Sequence, residues 1–211
     1  MGISARKLAM VATVVAAFLV SASAASADVS LYVGPDPADP AKTLIRDDST
    51  GPRAGLPINI ERNSGNLVLT TGRIGDFTVG GACTAATAPA PATPLDAFVG
   101  SPTTLTTFTC PANTSLAVEL GEGNDILRSY GPYYSTETVP LSNSAISVNA
   151  GEGGDALDLD AKDIRVSLGP GNDVGHFGHY TDNRQAVSTY VEGGDGNDDF
   201  IVSNVQNAIA D

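Results

Sequence analysis

Four short segments between Leu116 and Ser203 carry glycine and aspartate at the same spacing. In each segment a glycine is followed two residues later by a second glycine and four residues later by an aspartate. The opening glycines are Gly121, Gly151, Gly169 and Gly194, the second glycines are Gly123, Gly153, Gly171 and Gly196, and the aspartates are Asp125, Asp155, Asp173 and Asp198. A valine lies three residues before each opening glycine. The repetition predicts one kind of turn, made four times between short strands.

The residue types in these turns suit a hard cation. Glycine permits tight backbone curvature with positive φ, so that carbonyl oxygens can converge, and the aspartate adds a charged oxygen at a fixed offset. Ca²⁺ takes six to eight such oxygen ligands, whereas Mg²⁺ demands a small octahedron and gives up water reluctantly. The turns contain no His or Cys, which argues against zinc and copper. The turns therefore predict calcium.

The intervals between the four turns predict how the chain is wound. Successive opening glycines are 30, 18 and 25 residues apart. The shortest interval contains turn, strand, back-turn and strand, which is one complete coil of a flattened solenoid. We expect all four turns to stack along one edge, with shared ions in about three gaps between them. Alternate residues should point inward and form the core, namely Leu157, Leu159, Ile164, Val166 and Leu168.

These segments resemble the haemolysin-type (RTX) calcium-binding repeat, whose nonapeptide is GGxGxDxUx. The match covers LGEGNDIL, AGEGGDAL, LGPGNDVG and GGDGNDDF. The resemblance implies an all-β parallel β-roll or β-helix, in which the turn glycines supply backbone carbonyls and the four aspartates supply carboxylates. Only the last copy begins with two glycines, and Gly175 stands where an aliphatic residue is expected. The overall layout is similar to that of uncharacterised secreted calcium-binding proteins of actinobacteria.

The start of the chain predicts export. Arg6 and Lys7 precede an apolar run, Leu8 to Val20, and Ala25-Ser26-Ala27 has the form of a signal-peptidase site. We therefore assign residues 1–27 to a signal peptide and expect no stable membrane span, with an uncleaved anchor helix as the alternative. The chain carries a net charge of −13, which becomes about −15 without Arg6 and Lys7. Such a balance argues against a nucleic-acid partner and suits cations.

Residues 28–115 are expected to form a β-rich N-terminal segment before the repeats at 116–211. Strand patterns begin at Pro57 with PINIER and continue in NLVLTT, DFTVGG and LTTFTC, whereas the text from Asp28 to Leu56 is rich in turn residues. Cys83 and Cys110 are the only cysteines, and in an exported chain they predict a disulfide. The Ala/Pro/Thr run between Cys83 and Leu105 is interpreted as a loop ordered by the disulfide or as a flexible excursion. The segment Gly72 to Asp76 is a weak fifth copy of the repeat.

The expected function is that of a secreted, extracellular or cell-surface calcium-binding module without enzymatic activity. Its role would be structural or adhesive, with folding coupled to Ca²⁺ and with a cell-surface or extracellular polymer as a possible partner. One alternative is that glycine and aspartate mark ordinary turns. Another is a calcium-dependent carbohydrate-active enzyme, such as a polysaccharide lyase, that uses Arg128 or Arg165. His176 and His179 form an HxxH without the Glu of a zinc protease and are assigned to a solvent-facing loop.

Overall fold

The computed structural model describes residues 30–49, 55–63, 65–72, 75–89, 104–111, 115–129, 141–178, 186–203 and 205–210. Within these ranges the regular structure is all strand. The first eight strands are β1 (Ser30–Pro35), β2 (Lys42–Asp47), β3 (Pro57–Asn63), β4 (Asn66–Thr71), β5 (Asp76–Val79), β6 (Thr84–Pro89), β7 (Thr104–Pro111) and β8 (Ser115–Glu119). The second eight are β9 (Ile126–Arg128), β10 (Leu141–Asn149), β11 (Ala156–Leu159), β12 (Ala161–Ser167), β13 (Val174–Gly178), β14 (Ala186–Glu192), β15 (Asp199–Ser203) and β16 (Val205–Ala210). The predicted signal peptide lies outside the described residues.

The strands form two sheets of eight. The first sheet has the order β16-β14-β12-β10-β8-β2-β1-β5, and the second has the order β15-β13-β11-β9-β3-β4-β7-β6. From β8 onward, successive strands in the chain alternate between the two sheets, and every neighbouring pair within a sheet is parallel. The predicted all-β class is confirmed, with two mostly parallel sheets.

The repeat positions are register partners in the first sheet. Val148 pairs with Val118 on one side and with Val166 on the other, and Val166 pairs in turn with Val191. The residues two positions earlier match in the same way, namely Leu116, Ile146, Ile164 and Thr189. Both rows are buried. The repeat in the sequence is therefore a repeat in space, with one copy in each parallel strand.

The core is one hydrophobic cluster formed by residues of both sheets. The five residues predicted to point inward are each at most 3% exposed, as alternation along a strand requires. The same buried cluster includes residues of the N-terminal half, such as Ile45, Ile58 and Phe108. Burial of large aliphatic side chains stabilises each fold element by about 1.5–3 kcal/mol per side chain.

Sheet pairing crosses the predicted boundary at residue 115. Strand β2 pairs in parallel with β8, and β3 pairs in parallel with β9. The N-terminal half therefore extends both sheets, and beyond β2 and β3 it adds the antiparallel pairs β1–β2, β3–β4, β4–β7 and β6–β7. Apart from the parallel pair β1–β5, the change at residue 115 is one from antiparallel to parallel pairing within shared sheets.

Two expectations for the N-terminal half were wrong. The turn-rich text from Asp28 to Leu56 contains strands β1 and β2, because short runs of β-branched, aromatic and aliphatic residues, such as LYV and TLI, lie between the turn residues. The run after Cys83, interpreted as a loop, begins with strand β6, which pairs with β7. The structure contains the predicted Cys83–Cys110 disulfide, which links the start of β6 to β7. Residues 90–103 of the run lie outside the described part.

Candidate metal centre

The four glycine turns lie side by side at one edge of the sheets. The Glu152 N–H donates to the carbonyl oxygen of Gly121 at 2.9 Å, and the Gly153 N–H donates to the carbonyl of Pro170 at 3.0 Å. The Gly171 N–H donates to the carbonyl of Asp195 at 2.8 Å, which joins the third turn to the fourth. The predicted stacking is confirmed, including that of the 18-residue pair at Gly151 and Gly169.

The glycines are required by the close approach of one turn to the next. A Cβ placed on Gly153, where φ is +137°, would lie 1.7 Å from the carbonyl oxygen of Gly123. Built Cβ atoms on the other stacked glycines of the last three turns would lie 1.4–2.3 Å from a carbonyl oxygen of the preceding turn, at Gly151, Gly169, Gly171, Gly194 and Gly196. No side chain fits at such distances. The sequence pattern is thus explained first by packing between turns, before any ligand is considered.

The weak fifth copy at Gly72 to Asp76 does not join the stack. Asp76 is exposed and begins β5, which pairs with β1 at the far end of the first sheet. The layer next to the Gly121 turn is instead formed by Gly55 and Leu56. A Cβ on Gly55 would lie 1.4 Å from the carbonyl oxygen of Asn124. Sequence reasoning missed this layer because it carries a glycine and no aspartate.

The aspartates of the four turns form a continuous series of hydrogen bonds, here called the aspartate ladder (Asp125, Asp155, Asp173 and Asp198). The Oδ1 of each aspartate accepts the backbone N–H of the aspartate in the preceding turn. The N···O distances are 2.7 Å into Asp155, 2.7 Å into Asp173 and 3.0 Å into Asp198. The N–H of Leu56 donates to Asp125 Oδ1 at 2.6 Å and begins the series. The predicted row of carboxylates is therefore present, and its first three members are buried while Asp198 is partly exposed.

The second oxygens of the central aspartates have no comparable partner. Asp155 and Asp173 are fully buried, and within the described residues no donor bonds to their Oδ2 atoms and no basic side chain pairs with them. Burial raises the pKa of Asp155 to about 8, and the charges of Asp125 and Asp173 act in the same direction. Burial and the charge of Asp198 raise the pKa of Asp173 to about 6. Without a cation, the ladder is therefore a place where ionised carboxylates are unfavourable.

The raised pKa values predict an inverted pH dependence of stability in the absence of calcium. An unfolded aspartate titrates near pH 4, so between about pH 4 and pH 8 the folded state binds more protons than the unfolded state. The stabilisation is full below about pH 4 and is lost as pH rises through the two folded pKa values. We expect the Tm measured in EDTA to fall by on the order of 10 °C from pH 5 to pH 8. A Tm that rises or stays level over this range would contradict the prediction.

A calcium ion at the aspartate ladder would need both carboxylate oxygens and backbone carbonyl oxygens as ligands. The uncommitted Oδ2 atoms of Asp155 and Asp173 are hard oxygens, which carry negative charge when the carboxyls ionise. In the described part of the chain no three His, Cys, Asp or Glu side chains converge as a ready metal cluster. Six or more oxygens would therefore have to include turn carbonyls. In the first pair of turns, the Glu152 N–H donates to the Gly121 carbonyl oxygen. Pro170 holds the equivalent position in the next turn and has no N–H, so the Gly151 carbonyl oxygen does not receive this bond.

The turns also carry a second, incomplete row of side-chain bonds. Asn124 Oδ1 accepts the N–H of Gly154 at 2.8 Å, and Asn172 Oδ1 accepts the N–H of Asn197 at 2.9 Å. Gly154 has no side chain with which to continue the row. The residue between the second glycine and the aspartate therefore joins neighbouring turns, a role that the spacing alone did not reveal.

The expectation for His176 was wrong, because this residue lies in strand β13 and is half-buried. Its Nε2 lies 2.8 Å from Ser203 Oγ on β15. Burial lowers the pKa of His176 to about 4. His179 lies outside the described residues. Arg128 and Arg165, considered for an enzymatic site, lie in β9 and β12 and so belong to different sheets.

No protein family, curated protein or solved structure matches this chain. Among the described residues, no helix is long and apolar enough to cross a membrane.

Proposed function

We propose that this chain is an exported calcium-binding module whose repeat half, residues 116–211, is a parallel β-roll that is stabilised when calcium binds. The observation that supports the proposal most strongly is the aspartate ladder. It holds fully buried carboxylates in a row, and at Asp155 and Asp173 one oxygen of each is left without a donor. A buried charge of this kind requires compensation, and hard oxygens without a basic partner are compensated by a hard cation.

The residues that would hold the ion are those of the stacked turns. Asp155 and Asp173 would supply their Oδ2 atoms, and the backbone carbonyls of the turn glycines would supply neutral oxygens. The gap between the Gly151 and Gly169 turns is the best candidate, because both of its aspartates are buried. In addition, Pro170 has no N–H to donate to the Gly151 carbonyl oxygen, which can therefore serve as a ligand. The bound ion would supply positive charge that keeps the carboxylates ionised in the folded state.

Calcium would act on stability rather than create the turns. Turn stacking rests on glycine contacts and on Oδ1 hydrogen bonds, which leave the Oδ2 atoms for the ion. Folding and binding are then coupled, because the unfolded chain has no such site. Extracellular calcium modules bind with dissociation constants of about 10⁻⁴–10⁻³ M, and we expect this range here.

Calcium titration tests this proposal directly. At pH 8 the protein in millimolar calcium should show more β-structure by far-UV circular dichroism than in EDTA, and its Tm should rise by about 5–10 °C. Millimolar magnesium should give a much smaller rise, because Mg²⁺ needs a regular octahedron of ligands. Equal spectra and equal Tm values in EDTA and in calcium would exclude the calcium site.

The biological setting is proposed from the sequence. The leader-like residues 1–27 and the disulfide suit an oxidising compartment outside the cell, and the net charge of −13 suits a calcium-rich medium. A structural or adhesive role on a cell-surface or extracellular polymer follows from this setting. Pull-down of the protein on cell-wall polymer with calcium, and its loss in EDTA, would support that role.

A further inference from the structure

Three side chains on the outer face of the second sheet are arranged in the order hydroxyl, imidazole, carboxylate. Ser203 Oγ lies 2.8 Å from His176 Nε2. The other ring nitrogen, Nδ1, lies 3.7 Å from Asp158 Oδ1. The His176 and Asp158 side chains are 12% and 13% exposed, so both are largely buried but still reached by solvent.

The sheet register places these residues together. Asp158 on β11 is the register partner of His176 on β13, and both side chains lie on the face opposite the buried Leu157 and Phe177. Ser203 is the register partner of Gly178, two residues beyond His176. Gly178 has φ of +124°, and a Cβ there would lie 1.8 Å from the Ser203 carbonyl oxygen. The absence of a side chain at Gly178 therefore allows the Ser203 backbone to come close.

Burial favours a neutral imidazole, and the neighbouring carboxylate favours the tautomer that presents the Nε2 electron pair to the serine. Burial lowers the pKa of His176 to about 4, so the ring is neutral at pH 7. The carboxylate beside Nδ1 favours the tautomer with the proton on Nδ1, which leaves Nε2 to accept a proton from Ser203 Oγ. The 3.7 Å separation is longer than a hydrogen bond, and such contacts often shorten when a substrate binds.

We propose that Ser203, His176 and Asp158 form a second site, separate from the calcium turns, that hydrolyses carboxylic esters through a covalent serine intermediate. Ser203 is the nucleophile, His176 is the general base, and Asp158 is a positioning residue that fixes the ring. The site lies on the outer face of the second sheet, whereas Asp125, Asp155 and Asp173 of the aspartate ladder are buried. It would add an activity to a chain that was expected to have none.

The reaction balances with water alone. Ser203 Oγ bonds to the ester carbonyl carbon while its proton moves to His176 Nε2. The bond from that carbon to the alkoxy oxygen then breaks, and the Nε2 proton passes to the departing alcohol. Water attacks the acyl-serine, gives a proton to Nε2, and the acid leaves as that proton returns to Ser203 Oγ. The sum is ester plus water giving acid plus alcohol.

The surface around Ser203 suits small esters with an apolar acyl group. Ile201, which is 52% exposed, is the register partner of His176 and lies on the same face as Ser203. Ser203 is the last residue of β15, an edge strand of the second sheet, so we expect low selectivity and a modest rate. Activated aryl esters of short acids are therefore the right probes.

A fluorophosphonate probe and p-nitrophenyl butyrate test the proposal on the purified protein. The probe should attach to Ser203 by displacement of fluoride, as located by mass spectrometry of peptides, and Ser203→Ala should carry no label there. His176→Gln should slow labelling and ester hydrolysis by on the order of 100-fold. Absence of label on Ser203 in the wild-type protein would overturn the proposal whatever the variants do.

Ser188 provides a matched control. Its hydroxyl donates to Asp163 Oδ1 at 3.0 Å on the other sheet, where the described structure places no imidazole beside it. Ser188→Ala should leave labelling and hydrolysis unchanged, with the wild-type circular dichroism spectrum. If His176→Gln retains that spectrum and labels as fast as wild type, the hydroxyl is not activated and the site is not catalytic.

The positioning role of Asp158 has its own readout. Asp158→Asn should slow hydrolysis and shift His176 toward the tautomer protonated on Nε2, as seen in ¹⁵N chemical shifts of the ring. A merely structural contact would change stability and leave the tautomer as it is. An unchanged tautomer together with an unchanged rate would remove Asp158 from the site.

Discussion

Replacing Asp155 by asparagine should make the calcium-free protein more stable at pH 8 and should abolish the stabilisation by calcium. The asparagine oxygen can still accept the N–H of Asp125, so the ladder keeps its bond. The change removes a buried carboxyl group whose pKa is raised to about 8, and with it the buried negative charge that forms as this group ionises. We expect the free energy of unfolding in EDTA to rise by about 2 kcal/mol, measured by urea denaturation.

The stability gained on adding calcium distinguishes a metal site from a ladder that is only structural. In millimolar calcium the wild-type protein should gain stability, whereas Asp155→Asn should gain little, because an uncharged amide is a weaker ligand. Asp76→Asn is the matched control, since Asp76 is exposed and outside the stack, and it should behave as wild type. If Asp155→Asn keeps the full calcium response, Asp155 is not a ligand.

Replacing Gly153 by alanine should destabilise the protein by on the order of 4 kcal/mol, or prevent folding altogether. The new Cβ would lie 1.7 Å from the Gly123 carbonyl oxygen, and both atoms belong to backbone that is fixed by neighbouring strands. The turn cannot move away without breaking the stack. The measurement is the free energy of unfolding in urea, with calcium present so that the ladder is fully compensated.

Gly65 is the matched control for backbone conformation. It also has positive φ, at +81°, but a Cβ there would meet nothing within 4 Å. Gly65→Ala should therefore cost only about 1 kcal/mol, which is the penalty for a left-handed alanine alone. Equal losses for Gly153→Ala and Gly65→Ala would mean that conformation, rather than contact between turns, determines the need for glycine.

The repeat half was predictable because one local pattern fixed both strand and turn. The valine row from Val118 to Val191 and the aspartate row share an offset from each glycine, so in-register parallel pairing aligned both at once. The calcium interpretation remains a proposal. The inward direction of the carboxylates was not predictable from spacing, because a turn residue in isolation is expected to face solvent.

The parts that sequence reasoning missed depend on contacts between distant residues. Gly55 and Leu56 join the stack through the Gly121 turn, although about 70 residues separate them in the chain. His176 meets Ser203 because β13 and β15 are neighbours, and no motif marks that pairing. Strand β6 is polar and rich in alanine, and its pairing with β7 overrides its weak propensity.

The aspartate ladder also gives the stack a direction. Each carboxylate accepts from the layer before it, beginning at Leu56 and ending at Asp198, so every layer completes the bonding of its predecessor. Stability is then a nearest-neighbour property, as in a one-dimensional cooperative chain. Removal of the last layer, with edge strands β15 and β16, breaks one hydrogen bond of the aspartate ladder. Opening an inner layer breaks two such bonds. Fraying should therefore proceed inward from the C-terminal end, while the other end stays closed under the N-terminal strands.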